Sequence, residues 1–230
     1  MENQITFTRR GVWAGARAAL PVALGAGAFG IVFGVLARQT GLSLAEALLM
    51  SAIVFAGASQ LVALGLWVTP LPVGALILTT LIVNLRHVLM GASLHPWLAK
   101  LPRGRIYASL FFMVDESWAL TLGSLTGGGG DGAFLLGSGL TLYVFWGTAT
   151  AIGELAGGLV TDPTRWGLDF AFTAVFLALL VGLWRGKSDL LPWLVAAVVA
   201  VAAAQWLPGK WYILLGGLAG SLVGAFRRAD

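Results

Sequence analysis

The chain has 230 residues, of which 58% are hydrophobic and 10% charged, with a net charge of +4. Soluble domains carry about 25% charged residues, so this chain cannot coat itself against water, and lipid is the natural solvent for most of its surface. The absence of cysteine excludes disulfides, iron–sulfur clusters and thiolate zinc sites, and the lack of a basic face with interleaved aromatics argues against nucleic-acid binding.

Eight apolar segments are expected, over residues 15–37, 43–67, 72–98, 106–126, 133–160, 168–184, 190–207 and 211–226. Most reach the roughly 20 residues of a spanning helix, and the last three sit near the lower limit. The expected fold class is an all-α integral membrane protein of about seven to eight hydrophobic segments, one or two of them broken or re-entrant. Short loops make it a single polytopic domain over 1–230. Trp67, Trp97, Trp184, Trp193, Trp206 and Trp211 fall near segment ends, as an interfacial aromatic belt requires.

The first segment follows Arg9 and Arg10 and runs too long for the apolar core of a signal peptide. Its Gly11/Gly15 and Gly30/Gly34 steps are small-residue spacings that let helices pack closely. The second segment places Gly57, Ser59 and Gln60 inside an apolar run, after Ser51. It is the first candidate for an unwound element whose free carbonyls and amides could face a ligand. The alternative is a continuous helix with Ser51, Phe55 and Ser59 on one face and Gln60 bonded to a neighbour. Glu46 suits a helix N-terminus.

In the third segment, Thr80, Asn84, His87, Gly91 and His95 share one helical face, a polar and small stripe fit to line a pathway. A lone membrane histidine is more often a hydrogen-bonded packing residue, and His87 would otherwise suit proton coupling. Arg86 lies roughly 21 Å from the segment start at 1.5 Å per residue, on the opposite side of the helix from Asn84. In the fourth segment Asp115 and Glu116 fall near the middle. A charge at helix centre costs about 2.5–3.5 kcal/mol to insert, so Arg86 is expected to face one of the two acids. The other is then left to be protonated or to face a water-filled cavity. Trp118 and Trp146 fall deep and read as bundle packing. Gly127–Gly130 with Asp131 reads as a flexible loop, lacking the ending of a phosphate loop. In the fifth segment Glu154, flanked by Gly153, Gly157 and Gly158, is the second candidate for a break. Asp169 starts the sixth.

Orientation tests this scheme. The basic clusters are Arg9/Arg10, Lys100/Arg103/Arg105, Arg185/Lys187 and Arg227/Arg228. The positive-inside rule wants all four in the cytoplasm, yet three segments separate each of the first three clusters from the next. Either one segment in each triplet is re-entrant, a construction known in transporters, or the charge rule fails at one loop. No HExxH or GxSxG occurs, and Ser59 with His87 lacks the context of an intramembrane protease. The chain therefore reads as a non-enzyme with no catalytic residues, no cofactor and no metal site.

The runs ALPVALGAGAFGIVFGVLA, EALLMSAIVFAGASQ, LIVNLRHVLMGASLHPWL, FFMVDESWAL and DPTRWGLDFAFTAVFLALL together resemble the AzlC family, the large subunit of branched-chain amino acid exporters. FAGASQ combined with NLRH carries most of the likeness. The resemblance implies a two-component exporter of valine, leucine, isoleucine and sometimes methionine, with a small AzlD-type membrane subunit as partner. It further implies the bacterial inner membrane, with a proton gradient as the energy source; the charge clusters favour a cytoplasmic N-terminus. For an amino acid substrate, the carboxylate has Arg86, Asn84, Gln60 or a half-helix N-terminus, and the ammonium has Asp115 or Glu116. His87 joins these candidates. Phe55, Phe112 and Trp118 would take the apolar side chain, and Ser51, Gly57, Ser59 and Glu154 complete the secondary set. The alternatives are a small-solute or ion channel subunit and a membrane enzyme.

Overall fold

The computed structural model describes residues 5–128, 130–159, 186–207 and 211–227, with the single positions 165, 170, 177, 181 and 184. Apart from one isolated bridge between Thr6 and Asp131, the elements among them are helical. The expected sixth segment and Asp169 lie outside the described residues.

Helix α1 spans Arg9–Gln39, started by Thr8, whose hydroxyl accepts from the Gly11 amide at 3.0 Å. It packs most extensively against α7, Ala133–Gly157, which runs parallel to it. Glycines make the seam. A side chain at Gly137 would strike the Val12 carbonyl, and one at Gly153 the Ile31 carbonyl. Gly15 and Gly34 do the same from the α1 side, against the Phe134 and Thr150 carbonyls. The Gly11/Gly15 and Gly30/Gly34 steps are thus packing devices that let two backbones touch. Both helix starts are clamped together. Thr8 donates its hydroxyl to Asp131, Asp131 accepts from the Ala133 amide, and Thr6 exchanges backbone bonds with Gly130 and Gly132. Asp131, expected in a flexible loop, is therefore held in place just ahead of α7.

The second segment is broken. It forms α2, Leu44–Ile53, and α3, Gly57–Gly65. A reciprocal Ser43–Glu46 capping box starts α2. Phe55 at the break has φ 39°, a conformation that bulky residues adopt only under constraint. Gln60 of α3 reaches back to Ser51 of α2, with its Nε2 donating to Oγ at 3.0 Å, so the two form a hairpin. Helix α4 then spans Val73–Leu98. Leu98 at its end and Leu101 just beyond it crowd Gly132 beside Ile5. It thus ends where α1 begins, and runs antiparallel to it. Since α2 enters and α4 departs at the other end, the α2–α3 hairpin enters from that far end and returns to it.

The fourth segment is broken as well, which corrects the expectation of one continuous helix. Helix α5, Arg103–Phe111, runs inward from the near end, and α6, Asp115–Thr126, returns to it. The break holds because Phe112 seats on Gly139 and Tyr143, while the extended Val114 donates its amide to Ser117 Oγ at 2.9 Å. Leu125, Gly128 and Gly130 line one shallow cleft with Ile5 and Trp97, which places the end of α6 at the near end. The fifth segment, expected to break at Glu154, is instead the unbroken α7. Its Gly153 serves close approach, and Glu154 is neutralised by Arg38 at 3.0 Å.

The chain closes, after a short turn at Lys187–Asp189, with α8, Leu190–Trp206, and α9, Trp211–Arg227. They form an antiparallel pair in which Gly216 meets Ala200 and Gly220 meets Ala196. Among the described residues, four helices are long and apolar enough to cross a membrane: α1, α4, α7 and Lys187–Trp206.

Candidate functional site

The two hairpins enter from opposite ends and their tips meet on one tyrosine of α7. Tyr143 stacks edge-on against Phe55 of the first tip, with centroids 4.9 Å apart, and against Phe112 of the second at 5.1 Å. Its hydroxyl donates to the Ala52 carbonyl at 3.2 Å. Tyr143 lies near the middle of α7, so both chain breaks sit at mid-depth in the bundle. Each break exposes the N-terminus of the helix that follows it, α3 on one side and α6 on the other.

Helix α4 passes between the hairpins and offers each a different residue. Positions 84 and 86 differ by about 200° around a helix at 3.6 residues per turn. Asn84 Oδ1 accepts from Ser59 Oγ of α3 at 2.6 Å. Arg86 pairs with Asp115 at the start of α6 at 2.5 Å. The opposite placement of the two residues on their helix thus corresponds to two separate contacts. The Arg86 and Asp115 side chains keep 36% and 47% of their surface open, so the pair is not sealed inside the described residues.

Around the first tip, polar atoms are buried in a chain. Gln60 Nε2 donates to Ser51 Oγ, which lies 3.1 Å from Thr150 Oγ1 of α7. Ser51, Ser59, Gln60 and Thr150 are all buried. Such a network in an apolar bundle is costly unless satisfied, and Gln60 Oε1 is left without a partner. Near the second tip, Trp118 Nε1 donates to Ser93 Oγ of α4 at 2.8 Å.

A family model described as AzlC protein matches residues 21–160. The chain belongs to the AzlC family. The matched span holds most of α1, both hairpins, α4 and α7, and ends before α8 and α9. Similar proteins include the branched-chain amino acid transport protein AzlC of Bacillus subtilis, 29% identical over 90% of this chain and 82% of that one. An uncharacterized membrane protein of Archaeoglobus fulgidus is 36% identical over 67% of this chain and 68% of its own. The inner membrane protein YgaZ of Escherichia coli is 26% identical over 84% and 80%. No solved structure matches the chain. The chain is thus a multi-pass membrane protein of a transport family.

Within this family member, the tips gather Ser51, Gly57, Ser59, Gln60, Asn84, Arg86 and Asp115. Glu116 is exposed and has no ion-pair partner among the described residues. The His87 ring turns to its own helix, with Nδ1 3.2 Å from the Asn84 carbonyl. Glu154 belongs to the α1–α7 seam, where it meets Arg38. Sequence reasoning missed Tyr143, Thr150 and Arg38, and read Trp146 as packing alone. An aromatic or threonine inside an apolar run gives no sign of its neighbours. Arg38 did carry a signal, as the basic residue ending the first apolar run.

Proposed function

We propose that the chain is the larger membrane subunit of a secondary transporter that exports branched-chain or similar small apolar amino acids. On this reading it works in the bacterial inner membrane with a small AzlD-type subunit, driven by the proton gradient. The near end, which carries Arg9, Arg10, Arg103 and Arg105, faces the cytoplasm, following the positive-inside rule. The bilayer and the amino acid are the chain's two essential contacts besides its partner.

One observation carries the reading. Two half-helix N-termini arrive from opposite ends at the same depth, beside buried polar side chains and an ion pair. Discontinuous helices meeting at mid-membrane are the construction by which transporters present backbone groups to a solute. A continuous bundle would have no use for irregular backbone at that depth, since unpaired amides are costly in lipid. The Bacillus subtilis relative is named a branched-chain amino acid transport protein, which supplies the solute class of this reading. Arg86 and Asp115 neutralise each other, and Glu116 and His87 are the groups left to exchange the coupling proton.

Uptake of labelled leucine into inverted membrane vesicles tests the proposal, with and without the small subunit. Accumulation above the bath concentration, abolished by a protonophore, is expected. Equilibration without accumulation would mean a channel subunit, and no uptake of any branched-chain amino acid would end the transport reading.

A further inference from the structure

Glu154 is the most deeply buried charged side chain among the described residues, with 2% of its surface open. It sits toward the far end of the α1–α7 seam. Arg38 of α1 donates its Nη1 to Glu154 Oε1 at 3.0 Å, and the Arg38 side chain is 51% open. The pair is lopsided: the acid is sealed in protein while the base reaches outside. A seam that only needs to be tight gains little from such a pair, because taking the charges out of water offsets most of their attraction. The closeness of the two helices here comes instead from Gly34, Gly153 and Gly157, which need no charge.

The other charged groups on the helices packed against α7 lie elsewhere. Arg9, Arg10 and Arg17 are in the near half of α1. Glu46 of α2 is exposed, and its carboxylate accepts from the Ser43 amide and hydroxyl. The hairpin tips meet on Tyr143, which lies on α7 about 16 Å short of Glu154 at 1.5 Å per residue. From there α5 and α6 run to the near end, with Arg103, Arg105, Tyr107, Asp115 and Glu116. Polar contact does reach Glu154 from the first tip. Thr150 stands four residues before it, on the same face of α7. A Cβ at Gly34 would meet both the Thr150 carbonyl and the Glu154 amide. Thr150 Oγ1 lies 3.1 Å from Ser51 Oγ, which accepts from Gln60. The acid is thus one helical turn from the network that fixes the first tip.

We propose that Glu154 is a proton site loaded from the far end and controlled by Arg38. While Arg38 is in place, the guanidinium balances an ionised carboxylate. The guanidinium stays charged throughout, and its open side chain can swing into the water beyond the far end. The carboxylate then stands buried without a cation, a position that favours the neutral acid. It takes one proton from the water that Arg38 has entered, and gives it back when Arg38 returns. The buried site is neutral in both states, balanced first by the base and then by the proton. The inference rests on the transport reading and moves the coupling proton from Glu116 and His87 to the seam beside the first tip.

Two measurements on the full-length chain test it. Arg38→Met keeps the side-chain stem beside Gly157 and Gly158 and removes the charge. At neutral pH its infrared spectrum should show the C=O stretch of a buried carboxylic acid, missing from the double variant Arg38→Met, Glu154→Gln. Absence of that band overturns the proton site. In the inverted vesicles, Glu154→Gln stands in for the protonated acid and cannot release its proton. It should still let leucine run down its own gradient, while accumulation driven by an acid lumen is lost. An ion pair that only holds the seam would change both movements together or neither, and either result overturns the coupling role. If Arg38→Met does not fold, the split in Glu154→Gln decides alone. Should wild type accumulate leucine while the split fails, transport stands and Glu154 is not its proton carrier. Should wild type move no leucine, the transport reading falls, and the infrared band alone decides the proton site.

Discussion

At the residue scale, the Arg86–Asp115 pair is the charged feature at greatest depth. An isolated charge at helix centre costs about 2.5–3.5 kcal/mol to insert, and a partner offsets much of this. Because both side chains remain partly open, solvent screening lowers the expected cost of breaking the pair to about 1–3 kcal/mol. Arg86→Leu should therefore unfold at a lower temperature in detergent than wild type, since it strands Asp115. The double variant Arg86→Leu, Asp115→Leu should recover most of the difference, because it leaves no unpaired charge. A double variant less stable than either single one would show that each charge has partners of its own. The facing of Arg86 and an acid was legible from the spacing alone, since Arg86 and the acids fall at similar counted depth. Phe55 was not. Its left-handed backbone is imposed by contact with Tyr143, and the neighbouring sequence puts glycine at 57 instead.

Single helices show what apolar runs reveal and conceal. Long continuous spans such as α1 and α4 were legible to within a few residues, apart from an early start to α1, because hydrophobicity and flanking charge both mark them. The break in the second segment was legible from Gly57, Ser59 and Gln60. The break in the fourth was not, because Phe111-Phe112-Met113-Val114 stays apolar through it and the cause is tertiary contact with Gly139 and Tyr143. Glu154 misled in the other direction, since its partner Arg38 is 116 residues away. The same logic distinguishes two glycines on α7. A Cβ at Gly147 meets nothing within 4 Å, whereas one at Gly153 collides with the Ile31 backbone. Gly147→Ala should be neutral or stabilising, by up to about 1 kcal/mol from helix propensity. Gly153→Ala should force α1 and α7 apart and lower the thermal midpoint in detergent by several degrees. Equal behaviour of the two variants would mean that the seam is looser than its glycines indicate.

Across the whole molecule, α1 with the hairpin α2–α3 and α4 with the hairpin α5–α6 repeat one plan in opposite directions. Each is a long helix followed by a hairpin that enters from the end where the helix stops. This arrangement resolves the charge conflict for the first triplet of segments, because the first two basic clusters then share the near end. Arg105 of the second cluster even lies over the Phe7 ring ahead of α1, 5.1 Å from its centroid. It also makes a prediction that ordinary spans contradict. If α2–α3 crossed the membrane, Thr40 and Val68 would face opposite compartments; as a hairpin they face the same one. Arg103 and Thr126 bracket the second hairpin in the same way and should share the other compartment. The chain has no cysteine, so single cysteines can be placed at each of the four positions without background. A membrane-impermeant thiol reagent applied to intact cells and to inverted vesicles should label Thr40→Cys and Val68→Cys only from the far side. Arg103→Cys and Thr126→Cys should react only from the near side. Opposite sidedness within either pair would turn that hairpin into a crossing, separate the two tips, and remove the mid-membrane meeting on which the transport path depends.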